Sequence, residues 1–263
     1  MKIDCHLHLP VFEDLQSLEE KRSKLLNDLR KNKIDYAIII PDNVKHSCIG
    51  DVDECIELFQ GDSNIFIMGT LSILKDDNSI YLKLESLLRE KKIVAIKIFP
   101  GHDHHYPNDI RLENVFNLCI KYDVPFVIHT GGNPKDAKYN DPKYIAQIAK
   151  KYKDLKIVIC HYFYPKVEYC YEITKNCKNI YFDISALADE EVEKCSGKNK
   201  IKEVLEKTIK EDPYRIVFGT DYGMCNIEKH IELVNSLDIG DEYKKNIFYK
   251  NALKLYNLNI KSL

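Results

Sequence analysis

Residues 3–8 read Ile-Asp-Cys-His-Leu-His, an apolar stretch that ends in two histidines two positions apart. Side chains alternate between the two faces of a β-strand, so His6 and His8 point to the same side. Imidazoles on one side of a strand can share a divalent metal ion. Three further polar residues end later predicted strands: His129, His161 and Asp221. The stretch therefore predicts a metal site at the carboxyl ends of parallel strands, where the sites of barrel enzymes lie.

Eight short apolar runs, rich in Ile and Val, alternate with amphipathic segments along the chain. This nearly continuous apolar character is typical of buried parallel strands. The runs span residues 3–7, 36–40, 65–71, 93–99, 125–129, 157–160, 180–184 and 216–219. Their alternation with helices predicts a closed (β/α)₈ TIM barrel, formed by a single domain over residues 1–263. An open doubly wound sheet is the alternative, but its Gly-x-Gly-x-x-Gly and phosphate-loop sequences are absent.

The composition limits the classes of partner. The chain has 263 residues, of which 44% are hydrophobic and 30% charged, and its net charge is -2. Without a basic face it is not expected to bind nucleic acid. We find no signal peptide, and no apolar run approaches the roughly 20 residues of a membrane span. The nine cysteines have irregular spacing, which indicates a reducing cytoplasm. We expect a cytoplasmic protein that binds a small molecule, and a homodimer is compatible with its size.

The candidate metal ligands are more specific together than singly. An imidazole or carboxylate at the end of an apolar strand needs a polar partner or a ligand. Each residue alone has an ordinary alternative, such as a core histidine or a helix N-cap. Three imidazoles and one carboxylate at one end of a barrel match a divalent ion, with zinc the best fit. The predicted metal ligands are His6, His8, His129 and Asp221.

Lys97 is the one ambiguous residue of the predicted fourth strand. Alternation places it on the same face as Ala95 and Phe99. If that face is the barrel interior, Lys97 is a buried amine. A substrate contact, a structural ion pair and a carbamate that bridges two metal ions are all compatible with this position.

The loop 100–109 follows the same strand and is expected to lie over the barrel mouth. Tyr106 is a candidate lid residue that contacts substrate, and Arg111 is a candidate cation for a substrate carboxylate. Other residues receive a structural interpretation. Surface positions are expected for five histidines: His46, His102, His104, His105 and His230. A substrate contact by one of the three on the loop, His102, His104 or His105, is the alternative. Cys5 and Cys160, each next to a candidate histidine, are expected to face the helices.

In combination and order these motifs resemble the amidohydrolase superfamily, in particular the amidohydrolase 2 branch of TIM-barrel metal-dependent hydrolases. That branch includes relatives of aminocarboxymuconate semialdehyde decarboxylase. The resemblance covers nearly the whole chain. Its main motifs are Ile-Asp-Cys-His-Leu-His at 3–8, Ala-Ile-Lys-Ile-Phe-Pro-Gly at 95–101, Val-Pro-Phe-Val-Ile-His-Thr-Gly at 124–131 and Phe-Gly-Thr-Asp-Tyr-Gly at 218–223.

The resemblance implies roles for individual residues. His6, His8 and His129 would bind the metal, and Asp221 would bind or approach it and accept a proton. His161 would orient the attacking water or polarise the substrate. The sequence departs from the family at two places. Phe99 stands where the family often has His, and bulky aromatic residues, at 162–164, follow His161.

Four functions follow from this pattern. The expected reaction is hydrolysis of an amide, ester or lactone by a metal-activated water, with Asp221 and His161 as catalytic residues. The main alternative is nonoxidative decarboxylation of a small unsaturated or aromatic acid. A barrel that binds a metal or ligand without catalysis is a further alternative. A TatD-type nuclease is disfavoured, because such enzymes typically carry a glutamate on strand four and Lys97 stands here instead.

Overall fold

The computed structural model describes residues 1–12, 14–132 and 134–260. Its nine strand segments form eight barrel strands, because two segments share the predicted strand 65–71. The strands are β1 (Ile3–Leu7), β2 (Tyr36–Ile39), β3 (Ile65–Ile67), β4 (Gly69–Thr70), β5 (Ile96–Ile98), β6 (Phe126–Ile128), β7 (Ile157–Ile159), β8 (Ile180–Asp183) and β9 (Ile216–Val217).

Helices follow the strands and form the outer layer. They are α1 (Leu18–Lys31), α2 (Val52–Leu58), α3 (Ser79–Arg89), α4 (Glu113–Lys121), α5 (Pro134–Ala137), α6 (Pro142–Lys151), α7 (Val167–Thr174), α8 (Glu190–Ser196), α9 (Lys198–Glu211), α10 (Ile227–Asn235), α11 (Asp241–Lys245) and α12 (Asn251–Leu255). Local sequence sets several of their starts. Ser17 and Glu20 form a capping box at α1, and Asp141 caps α6 with Pro142 in its first turn.

The strands are parallel and follow chain order around a closed ring. β1, β2 and β3 form one sheet, and β4 to β9 form the other. Met68 joins the two sheets, because its N–H donates to Ile39 O at 2.9 Å while the next residue pairs with the β5 side. On the other side, Cys5 N donates to Phe218 O at 2.9 Å and His8 N donates to Tyr222 O at 2.8 Å. The predicted (β/α)₈ barrel is confirmed.

Alternating strand residues divide the apolar core into two layers. One layer lies between strands and helices and includes Phe126 and Ile128. The other fills the barrel interior and includes Val127, Val158 and Val217. Tyr256, just after α12, packs into this interior layer. The interior is therefore a packed core, and the site lies above it at the carboxyl ends of the strands.

Both cysteine orientations predicted from alternation are wrong. Cys5 and Cys160 belong to the interior layer. β1 carries an extra residue between Asp4 and Leu7 relative to β2, so Cys5 and His6 both reach the interior side. After β7 the backbone of His161 turns to a φ of 58°, which returns its imidazole to the interior. Neither the extra residue in β1 nor the turn at His161 can be recognised from the order of apolar residues in the sequence.

Two of the five histidines expected at the surface are buried. His105 is 3% exposed and His230 is 0% exposed. His230 lies on the inner face of α10, where its Nδ1 donates to Asn226 O at 2.8 Å and its Nε2 accepts from Ala188 N at 3.4 Å. His46 is exposed, as expected. None of the helices in the described part of the chain has both the length and the apolar character that a membrane span requires.

Candidate metal centre

His6, His8 and Asp221 converge at the barrel mouth. Asp221 Oδ1 lies 3.4 Å from His6 Nε2 and 3.5 Å from His8 Nε2. The donor atoms of these three residues all lie within 4.8 Å of one another, and the side chains are buried. Three of the four predicted ligands therefore meet around one point, as the end of β1 and the turn after β9 require.

Hydrogen bonds to the far side of each imidazole fix its tautomer. His8 Nδ1 faces Ile40 O at 2.8 Å, and a carbonyl can only accept, so Nδ1 carries the proton. His6 Nδ1 faces Asp183 Oδ2 at 2.8 Å. Burial raises the pKa of Asp183, but the His6 imidazole outweighs it and holds this pKa below its ordinary value. Asp183 is therefore a carboxylate acceptor, and both histidines present an unprotonated Nε2 towards Asp221.

The Asp221 carboxylate fits the same interpretation. Its Oδ1 atom is buried and has no hydrogen-bond partner in the described part of the chain. Burial raises the pKa of Asp221, but the adjacent His8 imidazole and the nearby His161 and His6 outweigh it and hold the pKa well below its ordinary value. Two bare ring nitrogens and an orphaned carboxylate oxygen are donor atoms that could hold a divalent metal.

Gly219 makes room for this arrangement. A Cβ at this position would lie 2.9 Å from His6 Cβ and 3.4 Å from His6 N. The approach to His6 Cβ is closer than van der Waals contact allows, so a side chain here would force a shift. The glycine thus lets β9 pass close to β1, so that Asp221 reaches the histidines.

His129 and His161 form a second group beside the first. His161 Nε2 lies 3.3 Å from His129 Nδ1, and His161 Nδ1 lies 2.8 Å from Ser185 Oγ. Ser185 in turn donates to Asp183 Oδ1. Burial lowers the pKa of His161 to about 4, so the imidazole is neutral at pH 7. His129 is adjacent to the cluster of His6, His8 and Asp221, but its ring nitrogens are not within that 4.8 Å group.

A cavity of about 180 Å³ is lined by Asp221 and by the four histidines, His6, His8, His129 and His161. Lys97 reaches it from β5, fully buried, and its Nζ donates to Cys160 Sγ at 2.8 Å. Burial raises the pKa of Cys160 well above its ordinary value, so the thiol is neutral. Phe99 and His102 line the same cavity. The His102 residue is exposed, as expected, but partial burial of its imidazole in the cavity lowers its pKa.

Tyr106 and Arg111 lie outside this cavity lining. Tyr106 is 41% exposed and packs on Tyr139 and Tyr144. The guanidinium of Arg111 is paired with Asp109, at 2.7 Å and 2.9 Å, and also donates to Ile73 O. Their predicted roles in substrate binding remain predictions, because loop positions alone do not test them.

Comparison with known proteins places the chain in a family. A family model described as amidohydrolase, Amidohydro_2, matches residues 3–258. The chain belongs to the amidohydrolase family. No curated protein matches the sequence of this amidohydrolase.

Solved structures with the same fold cover nearly the whole amidohydrolase chain. A TIM-barrel protein from Bordetella bronchiseptica has a TM-score of 0.77 at 17% identity, over 97% of each chain. The 5-carboxyvanillate decarboxylase of Sphingomonas paucimobilis has a TM-score of 0.70 at 12% identity, over 98% of this chain and 99% of that chain. A dihydroxybenzoic acid decarboxylase from Polaromonas, with bound manganese and 2-nitroresorcinol, has a TM-score of 0.69 at 17% identity, over 99% and 98%. At sequence identities of 12–17%, the similarity to these structures shows a shared fold and no more.

Two residues of the centre were missed by the sequence analysis of this amidohydrolase. Asp183 and Ser185 connect His6 to His161 from the end of β8. An aspartate inside the apolar run 180–184 was an available indication, because a buried charge requires a partner. Ser185 gave no such indication.

Proposed function

We propose that this member of the amidohydrolase family is a metal-dependent nonoxidative decarboxylase of a small aromatic or unsaturated acid. One observation carries the proposal. The cavity that contains His6, His8 and Asp221 also contains the buried amino group of Lys97, whose one hydrogen bond within the described residues goes to a neutral thiol. A carboxylate substrate would give this amino group an anionic acceptor, which the described residues do not supply.

The size of the cavity supports a small substrate. Drug-sized ligands occupy pockets of about 300–1,000 Å³, whereas this cavity measures about 180 Å³. The ring of Phe99 forms part of the wall, and the exposed apolar side chains of Val11 and Met224 border it. A flat acid with one ring suits both the volume and the apolar lining.

We assign the metal to His6, His8, His129 and Asp221. When bound, a divalent ion would supply a Lewis acid for substrate oxygens. Zinc is the ion we expect, because three imidazoles and one carboxylate suit a borderline-soft metal. The Polaromonas decarboxylase was solved with manganese, so manganese is the second ion to test.

The protein side chains then divide the remaining work. Decarboxylation breaks the bond between the carboxylate and the neighbouring carbon, releases CO₂ and places one proton on that carbon. Lys97 would hold the carboxylate by hydrogen bonding. Asp221, a carboxylate, and His161, whose Nδ1 is fixed by Ser185, are the groups that would carry the proton. Arg111 is paired with Asp109, so Lys97 is the better anchor.

Hydrolysis of an amide, ester or lactone is the second candidate. Membership of the amidohydrolase family favours it. Asp221 and His161 would keep their roles as proton carriers. However, a neutral ester or lactone offers no anionic group to the Lys97 amino group. The two structurally similar enzymes of known activity described above are decarboxylases. A barrel without catalysis is disfavoured, because barrels that lose catalysis usually also lose metal ligands, whereas the candidate ligands here are intact.

The decisive experiment is a substrate panel with the purified protein loaded with zinc or manganese. Hydroxylated benzoic acids and small unsaturated acids are compared with esters, lactones and amides. CO₂ release without an added oxidant, abolished by His8→Ala, is the expected result. Hydrolysis of the neutral substrates without CO₂ release from any acid would overturn the decarboxylase in favour of the hydrolase.

A further inference from the structure

Among the histidines that line the cavity, His102 differs from the others in its hydrogen bonding. His6, His8, His129 and His161 each place a ring nitrogen against a protein partner. For His102, by contrast, residues 1–12, 14–132 and 134–260 provide no hydrogen-bond partner, although the side chain lines the same cavity. Both nitrogens of this fifth imidazole are therefore available to a ligand.

The backbone around His102 is fixed by a tight turn. Asp103 N donates to Phe99 O at 2.9 Å, and Gly101 N donates to Asp103 O at 2.9 Å. The Asp103 carboxylate accepts from Asn43 Nδ2 at 2.7 Å and lies 3.1 Å from Lys75 Nζ. Gly101 has a φ of 109°, which favours glycine. The turn holds its polar side chains before any ligand arrives, which limits the entropy lost on binding.

Ring contacts orient the His102 side chain. Its ring centroid lies 4.4 Å from that of His129, at an angle of 42°. The His102 ring is also nearly parallel to that of Phe99, at 10°, with the centroids 6.2 Å apart. Lys97 Nζ lies 5.4 Å from the Phe99 ring centroid. The Phe99 ring thus lies near two polar groups. The Lys97 amino group could bind a carboxylate, and the His102 imidazole could bind a second polar group of the same ligand.

We propose that His102 determines substrate specificity by hydrogen bonding to a hydroxyl group on the ring of an aromatic acid. A neutral imidazole offers one donor and one acceptor, and a phenolic hydroxyl complements either. The flat Phe99–His102 surface favours a planar ring over a flexible chain. This inference rests on the proposed function, because it assumes that an acid binds in the cavity with its carboxylate at Lys97.

The test measures binding rather than turnover. Dissociation constants of benzoate and of 2-, 3- and 4-hydroxybenzoate are measured by calorimetry with the metal-loaded wild type. The ratio between benzoate and the best hydroxybenzoate gives the hydroxyl preference. His102→Ala should reduce this preference about five- to tenfold, which is the range of one net hydrogen bond, and leave benzoate affinity within about twofold. His102→Gln should restore part of the preference, because an amide also donates and accepts.

His104→Ala is the matched control. His104 lies on the same loop, is exposed, and stacks on Tyr139 at 4.9 Å, away from the cavity lining. It should retain the full hydroxyl preference. An unchanged preference in His102→Ala, or an equal loss in His104→Ala, would overturn the inference while leaving the decarboxylase proposal intact. If none of the four acids binds the wild type, an aromatic acid is excluded as the substrate and the inference fails, whereas the unsaturated acids of the substrate panel still test the decarboxylase separately.

Discussion

Asp183 Oδ2 accepts the Nδ1 proton of His6 at 2.8 Å, and both side chains are buried. This pair joins the end of β8 to the end of β1, which are 177 residues apart in the sequence. It determines which ring nitrogen of His6 is unprotonated. Ser185 extends the same network to His161. Asp183 and Ser185 therefore orient the imidazoles of His6 and His161 through the Nδ1 atom of each ring.

Asp183→Asn should weaken metal binding. An amide can donate to His6 Nδ1 as well as accept from it, so the tautomer with a free Nε2 is no longer fixed. Loss of such an orienting partner typically lowers metal affinity about 10- to 100-fold. Titration of the apoprotein with zinc measures the effect, and Asp241→Asn, in the exposed first turn of α11, is the charge-matched control. Equal zinc affinities in the two variants would contradict the prediction.

Asp221→Asn should abolish most of the stabilisation that the metal gives. An ion that binds only the folded state stabilises it by about 2.7 kcal/mol at 100 times its dissociation constant. Removing the charge of Asp221 lowers the affinity and so the shift. Thermal melting of each protein with and without zinc measures the difference. A full zinc-dependent shift in Asp221→Asn would exclude this carboxylate as a ligand.

Gly219→Ala should destabilise the fold and displace His6. The new methyl group meets His6 Cβ at 2.9 Å, and overpacking of this kind costs about 1–3 kcal/mol. Gly240→Ala is the control, because no atom lies within 4 Å of a Cβ there. Urea unfolding of both variants measures stability, and equal midpoints would show that β9 can shift without cost.

Lys97→Met and Arg111→Met should differ in their effect on acid binding. Lys97 lines the cavity, whereas the Arg111 guanidinium is occupied by Asp109. A hydrogen bond to a charged group contributes about 1.5–3 kcal/mol, so Lys97→Met should weaken benzoate binding about 10- to 150-fold. Arg111→Met should change it less than about twofold. The reverse pattern would move the carboxylate anchor to the loop, as first expected from the sequence.

His230 should make the protein less stable in mild acid. Burial lowers its pKa in the folded state, against the opposing effects of the Asn226 carbonyl and of Asp221, Asp189 and Asp183. Below about pH 6.5 the unfolded chain binds a proton that the folded chain rejects, so stability falls as the pH falls. His230→Gln, which keeps a donor and an acceptor, should reduce this loss by about 1.4 kcal/mol for each unit of lowered pKa.

Urea unfolding of the wild type and His230→Gln between pH 7.5 and pH 5 measures this difference. His46→Gln is the contrasting control. Hydrogen bonding to Glu54 raises the pKa of the exposed His46, so its protonation favours the folded state and its loss acts in the opposite direction. Parallel stability curves for the wild type and His230→Gln would show that His230 titrates normally.

Much of the architecture could be predicted because it depends on periodicity and order. Apolar runs at regular intervals predict buried parallel strands, and their number predicts closure. The pair His6 and His8 and the distant Asp221 were found because polar residues at strand ends are exceptions to that pattern. The strand ends themselves then bring these three residues together.

Local backbone geometry accounts for the errors. The extra residue in β1 and the positive φ of His161 reverse the faces that alternation assigns to Cys5 and Cys160. Burial of His105 and His230 depends on how a loop and a helix face pack. Such features arise from the fit between elements, so residue types along one strand do not reveal them.

The sequence by itself determined the barrel, the family and the candidate metal ligands, because strand period and residue chemistry are local properties. Only the tertiary structure decided which groups orient them. Asp183 lies 177 positions from His6, and Cys160 lies 63 positions from Lys97. Closure of the ring brings these pairs within hydrogen-bonding distance, because each pair joins two strands separated by one other strand, β8 and β1 across β9 and β5 and β7 across β6, whose side chains meet in the barrel interior whatever their separation along the chain.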